Sequence, residues 1–297
     1  MSKPRLAVTL GDPRGIGPEI VDAAVLDQRV RTACDLVVVG PSGVTNRAVD
    51  VLTGVWSDAM GSDVAGQIAG IAIERAVALA QRGEVAGIVT APIDKHALLE
   101  GGYDFPGHTE MLAALTGASV AMMLASDRLR VVLATAHIPL RDVPQALTAE
   151  RIAESARVTR AGLREWYGIN EPRLALCALN PHAGDHGRFG DEDDRVLAPA
   201  AKAAGIAGPF PADTVFVRAM EGEFDAVIAP YHDVGMTAIK VASFGSAVNV
   251  TLGLPFPRTS PDHGTAIGIA GTGKARPESM IRAILECARI AALKGAR

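Results

Sequence analysis

The chain of 297 residues is long enough for two packed α/β lobes, and its 48% hydrophobic and 21% charged content is ordinary for a globular enzyme. A formal net charge of −4 argues against a nucleic-acid-binding surface, which normally carries excess Lys and Arg. No apolar run approaches a membrane span or a signal peptide, so we expect a cytoplasmic protein without membrane contacts. Three cysteines without metal-type spacing, Cys34, Cys177 and Cys287, are expected to be reduced thiols.

Short apolar strands alternate with amphipathic helices along the chain, which predicts a largely α/β fold. Strands are predicted at residues 5–10, 36–40, 87–90, 121–124, 130–135, 173–179, 226–230 and 247–252. Helices are predicted at residues 64–81, 148–167 and 277–294, with shorter ones opening at Lys95 and at Gly107. Residues 41–62 are turn-rich, and the acidic run at 191–194 is interpreted as the solvated first turn of a helix.

A glycine loop follows the first strand, with glycines at positions 11, 15 and 17 and Pro18 in the first turn of the next helix. A glycine loop that opens a helix can bind an anion on its free N–H groups. The spacing is not G-x-G-x-x-G, so the Rossmann fingerprint is absent from this loop. A plain strand-to-helix turn fits the loop as well as a ligand loop does.

Three predicted strands are each followed by a histidine: RVVLATAH ends at His137, RLALCALNPH at His182 and DAVIAPYH at His232. In open α/β sheets, ligands bind beyond the carboxyl ends of the strands. Neutral imidazole is a good ligand for Zn, Co or Ni, and three protein ligands leave positions open for substrate. The pattern favours one metal site, while the alternative is three separate residues held by backbone bonds.

The segment at residues 229–266 places polar side chains at successive turns, among them Lys240, Asn249 and Arg258. Arg offers a planar fork to a carboxylate or phosphate, and Lys offers a point charge that can also move a proton. These residues predict a wall of an active site that receives an oxyanion. The alternative is surface cations and a loop amide.

Seven motifs occur in one order along the chain: GDPRGIGPEI, FPGHTEMLA, ATAHIPLRDV, LNPHAGDHGRFG, PADTVF, YHDVGM and NVTLGLPFPRTSPDHGTA. Together they resemble the 4-hydroxythreonine-4-phosphate dehydrogenase family of pyridoxine biosynthesis, over residues 11 to about 275. The set is specific, although no single motif would be. The first motif and DHGTAIGIAGTGKA are also distantly similar to the isocitrate and isopropylmalate dehydrogenases.

The resemblance implies a two-lobed α/β fold like that of the isocitrate and isopropylmalate dehydrogenases, with the active cleft between the lobes. The first lobe would comprise residues 1–109 and 260–297, and the second, residues 110–259, would carry the metal ligands and the dimer contacts. The resemblance also implies a homodimer whose metal site uses both subunits.

The resemblance further assigns roles to matching positions. One divalent ion, Zn, Mg or Co, would be bound by His137, His182 and His232. The small phosphorylated substrate would be contacted by His108, Thr109, Lys240, Asn249 and Arg258. The adenosine of NAD or NADP would lie against the turn Asp262, His263, Gly264, Thr265 and Ala266. For proton transfer the first candidate is Lys240, and the second is Asp213.

The implied reaction is oxidation of the secondary alcohol of 4-phospho-hydroxy-L-threonine by NAD(P). Loss of CO2 from the resulting 3-keto acid would give 3-amino-2-oxopropyl phosphate. As a Lewis acid, the metal would polarise the alcohol and then stabilise the enolate left by decarboxylation. Hydride transfer would belong to the cofactor, which the protein orients.

Three features depart from the family pattern: the segment at residues 41–66 is short, Asp185 stands where Glu is common, and Val234 stands where many members carry Gln. They bear on the substrate more than on the reaction type. One alternative keeps the fold and chemistry but acts on threonate or erythronate 4-phosphate, or on an aromatic cis-dihydrodiol carboxylate. The other alternative is a non-catalytic NAD- or phosphate-binding protein. The three histidines at strand ends argue against it.

Overall fold

The structure, a computed structural model, describes residues 3–45, 47–243 and 245–295. Asn46 of the turn-rich segment and Phe244 of the polar segment lie outside the described residues, as do residues 1, 2, 296 and 297 of the predicted first lobe. The strands are β1 (Arg5–Thr9), β2 (Asp35–Ser42), β3 (Val51–Val55), β4 (Gly87–Thr90), β5 (Ala121–Ala125), β6 (Arg130–Leu133), β7 (Leu174–Cys177), β8 (Ala207–Phe210), β9 (Ala226–Ala229), β10 (Val248–Leu252) and β11 (Arg258–Ser260). The helices are α1 (Gly17–Leu26), α2 (Gln28–Ala33), α3 (Ser62–Gln81), α4 (Lys95–Glu100), α5 (His108–Thr116), α6 (Val143–Ala146), α7 (Ala149–Tyr167), α8 (Ala198–Ala204), α9 (Ala212–Met220), α10 (His232–Ser243) and α11 (Glu278–Gly295).

The chain forms two compact units. Unit 1 comprises the described residues of Met1–Ser119 and Val248–Arg297, and unit 2 comprises those of Val120–Ala247. The predicted lobes divide at residues 109/110 and 259/260 instead. The difference arises because α5 packs on α3 and β10 pairs with β11, so both α5 and β10 belong to unit 1.

In unit 1 the strand order is β3-β2-β1-β4-β11-β10. All neighbouring pairs are parallel except β10 and β11, which are antiparallel with Asn249 opposite Ser260. In the parallel pair of β11 and β4, Arg258 lies opposite Ile88. The carboxyl ends of β1, β4 and β11 therefore share one edge, which carries the glycine loop, the start of α4 and the turn at residues 262–266.

In unit 2 the strand order is β5-β6-β9-β7-β8, with β5 antiparallel at one edge and the others parallel. Inward-facing side chains such as Val131, Ala175 and Val227 form a buried cluster. Phe216 of α9 and Ile239 of α10 cover this cluster, and their burial fixes both helices on the sheet. Because β6, β9 and β7 are adjacent and parallel, their carboxyl ends also meet at one edge.

The predicted strands and long helices are confirmed, but α10 is a helix that the sequence did not reveal. It contains Gly235, a poor helix former. A Cβ on Gly235 would come within 2.7 Å of Leu133 Cδ2 and 2.9 Å of the Ala229 Cβ, so glycine is required for α10 to pack closely on the sheet. β3, β8 and β11 were also missed: β3 is mostly exposed, β8 contains Gly208 and Pro209, which weaken a strand pattern, and β11 has only three residues.

The three cysteines are buried free thiols, as expected. Burial raises the pKa of Cys34 to about 11 and that of Cys177 to about 12, so neither is suited to act as a nucleophile. None of the described helices combines the length and the apolar character that a membrane span requires.

Candidate active site

The predicted metal ligands lie at the carboxyl edge of unit 2. His137 follows β6, His232 follows β9 and His182 follows β7; we call these three residues the histidine edge. The ring centroids of His137 and His232 are 5.6 Å apart, with the ring planes inclined by 45°. That separation is short enough for two imidazoles to bind one ion.

Hydrogen bonds join the segments that carry this pair. The buried Thr135 hydroxyl donates to the Pro230 carbonyl at 2.7 Å, which links the end of β6 to the end of β9. Nδ1 of His232 lies 2.8 Å from a carboxylate oxygen of Asp233. Because a carboxylate accepts, this contact favours the tautomer with the hydrogen on Nδ1, which leaves Nε2 as the ring nitrogen open to a ligand.

The third predicted ligand, His182, does not form a three-residue cluster with this pair among the described residues. His182 is exposed, its ring centroid lies 6.4 Å from that of Phe189, and its φ of 51° lies in the left-handed region. Among the described residues, no three His, Cys, Asp or Glu side chains are gathered as a metal site. Within this chain the structure thus brings two of the three predicted ligands together.

Asp193 anchors the loop that leads to His182. Its side chain is 0% exposed and accepts from the backbone N–H of Leu179 at 2.8 Å and from that of Asn180 at 2.9 Å. The acidic run at residues 191–194 does begin a helix, a π-helical turn followed by α8. The interpretation as solvated charge is wrong for Asp193, since two N–H groups of the loop need a buried acceptor.

The two candidates for proton transfer lie on exposed surfaces of unit 2. Lys240 lies on α10 eight residues after His232, which is about 12 Å along the helix axis. Asp213 is in the first turn of α9. Burial raises the pKa of Cys177 at the end of β7, and the charges of Asp193 and Asp213 raise it further.

In unit 1, Arg258 is a buried cation at the start of β11, with 2% of its surface exposed. Its Nη1 donates to the Thr251 hydroxyl at 3.0 Å and its Nη2 to the Thr90 hydroxyl at 2.6 Å. No carboxylate of the described residues forms an ion pair with it, and its buried Nε has no hydrogen-bond partner there. Burial lowers the pKa of Arg258 to about 10. Glu110 of α5 brings a negative charge near Arg258, but the buried Nε still has no acceptor among the described residues and is available to an external anion.

His108 opens α5 and adds a second group with spare hydrogen-bonding capacity. Its Nε2 is buried and unpartnered among the described residues. Burial lowers the pKa of His108, and the nearby charges of Arg258 and Lys95 lower it further, so the imidazole is neutral. Gly107 gives α5 no side-chain cap, and Thr109 lies in its first turn. We call Arg258, His108 and Thr109 the anion site.

The predicted cofactor turn, residues 262–266, packs on the glycine loop, residues 11–17. The backbone N–H of Ile16 donates to the Thr265 carbonyl at 2.9 Å. A Cβ on Gly15 would come within 2.8 Å of the same carbonyl oxygen, so glycine is needed for this close approach. The glycine loop therefore holds the turn at residues 262–266 in place.

The glycine loop is also tied to α4. The buried Asp12 carboxylate receives two bonds from Arg14, from Nε at 3.1 Å and from Nη2 at 2.7 Å. Nη2 of Arg14 lies 3.8 Å from Asp94, which caps α4 by accepting from the Ala97 N–H at 2.8 Å. These contacts fix the start of α4, where Lys95 stands.

Two positions that depart from the family pattern are part of unit 2's local structure. Val234 is half-buried and packs against the hydrophobic cluster. Asp185 is exposed, with a φ of 44° in the left-handed region, three residues after His182. Asn249, the remaining predicted substrate contact, is half-buried on β10 in unit 1.

Comparison with known proteins gives one consistent result. The family model described as pyridoxal phosphate biosynthetic protein PdxA matches residues 20–287. A 4-hydroxythreonine-4-phosphate dehydrogenase of Geobacter metallireducens is 43% identical over 99% of this chain and 97% of its own length. A Bradyrhizobium diazoefficiens protein, provisionally named D-threonate 4-phosphate dehydrogenase, is 42% identical over 98% of each chain.

The fold agrees with that result. The solved structure of a 4-hydroxythreonine-4-phosphate dehydrogenase from Klebsiella pneumoniae is similar with a TM-score of 0.87 and 40% identity, covering 97% of this chain and 98% of that one. The predicted dehydrogenase fold class is thereby confirmed, and so is the family predicted from the seven motifs. The chain belongs to the pyridoxal phosphate biosynthetic protein PdxA family.

Proposed function

We propose that this protein is a dehydrogenase that oxidises 4-phospho-hydroxy-L-threonine with NAD or NADP and then decarboxylates the product, using a divalent metal. The observation that carries the proposal is Arg258, a buried guanidinium whose partners are two hydroxyls and no described carboxylate. A substrate with a phosphate and a carboxylate supplies the missing negative charge. Relatives named for this reaction support the same assignment.

The anion site would bind and orient the substrate. The hydrogen bonds to Thr90 and Thr251 hold both Nη atoms of Arg258, so the guanidinium group is fixed in place. Its Nε has no acceptor among the described residues and would donate to an oxygen of the substrate. Neutral His108 would donate or accept one bond without adding charge. The uncapped first turn of α5, with Thr109, would add backbone N–H groups. Asn249 would add an amide contact.

The metal would be held at the histidine edge. His137 and His232 fit two ligands of one ion by their separation, and the Asp233 contact leaves His232 Nε2 available. His182 would be the third ligand. Because one chain brings only two of the three predicted ligands together among its described residues, we propose that a homodimer completes the metal site with residues from both subunits. Bound there, a divalent ion supplies Lewis-acid chemistry at the alcohol and keto oxygens.

Lys240 would be the group that takes up the proton of the substrate alcohol, and bound NAD(P)+ would supply the hydride acceptor. In the second step the bond between the substrate carbon and its carboxylate breaks, CO2 leaves, and the electron pair of that bond forms an enolate, whose carbon then takes up one proton. A proton returned by Lys240, or by Asp213, converts the enolate to 3-amino-2-oxopropyl phosphate. The turn at residues 262–266, seated by the glycine loop, would receive the cofactor's adenosine.

A second candidate substrate is D-threonate 4-phosphate. The observation that favours it is the 42% identical relative with that provisional name. The anion site fits both substrates, because both carry a phosphate and a carboxylate. They differ at the substrate carbon that bears an amine in one and a hydroxyl in the other.

A substrate panel tests the proposal by following NAD(P)H formation with the metal-loaded protein. Its arms are 4-phospho-hydroxy-L-threonine, D-threonate and D-erythronate 4-phosphates, and an aromatic cis-dihydrodiol carboxylate. We expect the highest kcat/KM on the first. Absence of turnover on 4-phospho-hydroxy-L-threonine would refute the proposal, and turnover on D-threonate 4-phosphate alone would establish the second candidate.

A further inference from the structure

Lys95 lies beside the anion site. It opens α4, and its Cε is 3.6 Å from the position that a Cβ on Gly107 would occupy. Gly107 directly precedes His108, so the Lys95 side chain passes over the start of α5. Lys95 is exposed, and it forms no ion pair within residues 3–45, 47–243 and 245–295.

We propose that Lys95 is a further substrate-binding residue, the second cation of the anion site, and that it selects a phosphate monoester over a carboxylate. The inference rests on the proposed function, because it names the group of the substrate that the anion site receives. No other role for Lys95 is needed by the fold, since the α4 cap is made by Asp94.

Charge balance explains why a second cation is needed. A phosphate monoester carries about −1.5 to −2 at neutral pH, whereas a carboxylate carries one charge. Arg258 supplies one positive charge, and His108 is neutral. Glu110 brings negative charge to the same region, since its Oε2 is also 3.6 Å from the Gly107 Cβ position. The single positive charge of Arg258 therefore balances at most the charge of a carboxylate. With Lys95 added, the positive charge balances that of a phosphate.

The local structure prepares Lys95 for this role. Asp94 holds the start of α4 and contacts Arg14, so the backbone of Lys95 is fixed while its four-carbon stem can adjust. The Lys95 stem passes close to Gly107, since a Cβ there would lie at ordinary van der Waals distance, 3.6 Å, from Lys95 Cε. A phosphate could come from the substrate or from the cofactor, and the two sources are separated by experiment.

The test compares Lys95→Met with the wild type, using inorganic phosphate as the probe in isothermal titration calorimetry. We expect the Kd for phosphate to rise about tenfold, because one close charge-assisted contact is lost. The Kd values for NAD and NADP should not change. Lys95→Arg should recover most of the phosphate affinity. An unchanged phosphate Kd in Lys95→Met would overturn the proposal, and so would a loss confined to NADP.

The matched control is His96→Gln, the next residue on the same short helix. His96 is exposed, and its Nε2 lies 3.2 Å from Glu100, away from Gly107. It should keep the phosphate Kd of the wild type. Equal weakening in His96→Gln would mean that any change in α4 disturbs binding, which would remove Lys95 as a specific contact.

Phosphate binding is measured without turnover, so the two proposals can fail separately. If Lys95→Met weakens phosphate binding but the wild type does not oxidise 4-phospho-hydroxy-L-threonine, the Lys95 assignment stands and the proposed function falls. If the wild type turns over this substrate and Lys95→Met keeps its KM and phosphate Kd, the Lys95 assignment falls alone. When both hold, Lys95→Met should raise KM about tenfold with kcat within about twofold of the wild type.

Discussion

The anion site of unit 1 and the histidine edge of unit 2 differ in how complete they are. Arg258 is buried, and hydrogen bonds to Thr90 and Thr251 hold its guanidinium group. The anion site is therefore preformed within one chain. At the histidine edge, His137 and His232 meet, but exposed His182 does not form a three-residue cluster with them among the described residues. On the proposed roles, phosphate recognition would need only this chain, whereas a metal centre with three ligands would need residues of a second copy.

The largest effect is expected from breaking the histidine edge. His232→Ala should lose the bound metal and lower kcat by about a thousandfold or more, because a metal ligand and its Asp233-oriented nitrogen disappear together. Metal analysis and NAD(P)H formation measure the two losses. The phosphate Kd should stay unchanged, since Arg258 and His108 belong to unit 1.

The control for this change is His186→Asn, which removes an exposed histidine of unit 2 while keeping a residue that tolerates a φ of 57°. It should retain metal and turnover. Full metal content and activity in His232→Ala would contradict the proposed site, as would a loss of phosphate binding that shows the two regions are not separable.

Arg258→Lys should have the next largest effect. The planar fork is lost, and Lys cannot bond both Thr90 and Thr251 while facing an anion, so substrate affinity should fall about a hundredfold. NAD affinity should stay close to that of the wild type. Titrations with substrate and with NAD measure both, and Arg276→Lys, at an exposed position of unit 1, is the matched control. Equal losses in the two titrations would speak against a substrate role.

Thr135→Val tests what holds the imidazole pair together. The variant leaves the Pro230 carbonyl without its buried donor, which should lower the free energy of unfolding by about 1–3 kcal/mol. Metal affinity should weaken with it, because the ends of β6 and β9 are no longer linked. Urea denaturation and metal titration are the measurements, with exposed Thr237→Val as control. Unchanged metal affinity would show that this bond does not position the pair.

The smallest effect concerns pH and His108. Its folded-state pKa is below the ordinary value of about 6.5, so its contribution to stability is present above pH 6.5 and is lost as the pH falls below it. The wild type should lose about 1.4 kcal/mol per pH unit more than His108→Gln in that range. Denaturation curves at about pH 7.5 and 5.5 measure the difference. Parallel losses in both proteins would show that His108 is not buried as a neutral group.

The sequence allows the sheet strands and the placement of the three histidines at strand ends to be predicted, because an apolar run followed by a polar residue has a local signature. The α10 helix was not predicted, because Gly235, which its close packing on the sheet requires, weakens the helical pattern of the sequence. Thr135 and Pro230 are 95 residues apart, and Asp193 is 14 residues from Leu179, so neither contact has a local pattern. The buried state of Arg258 likewise depends on strands distant in the chain.

On the proposed mechanism, one substrate is both oxidised and decarboxylated. The most direct test supplies 4-phospho-hydroxy-L-threonine labelled at its carboxyl carbon and measures labelled CO2 together with NAD(P)H. The proposed mechanism requires that one CO2 is released for each NAD(P)H formed by the wild type, and that neither is formed by His232→Ala. Formation of NAD(P)H without release of label would contradict it.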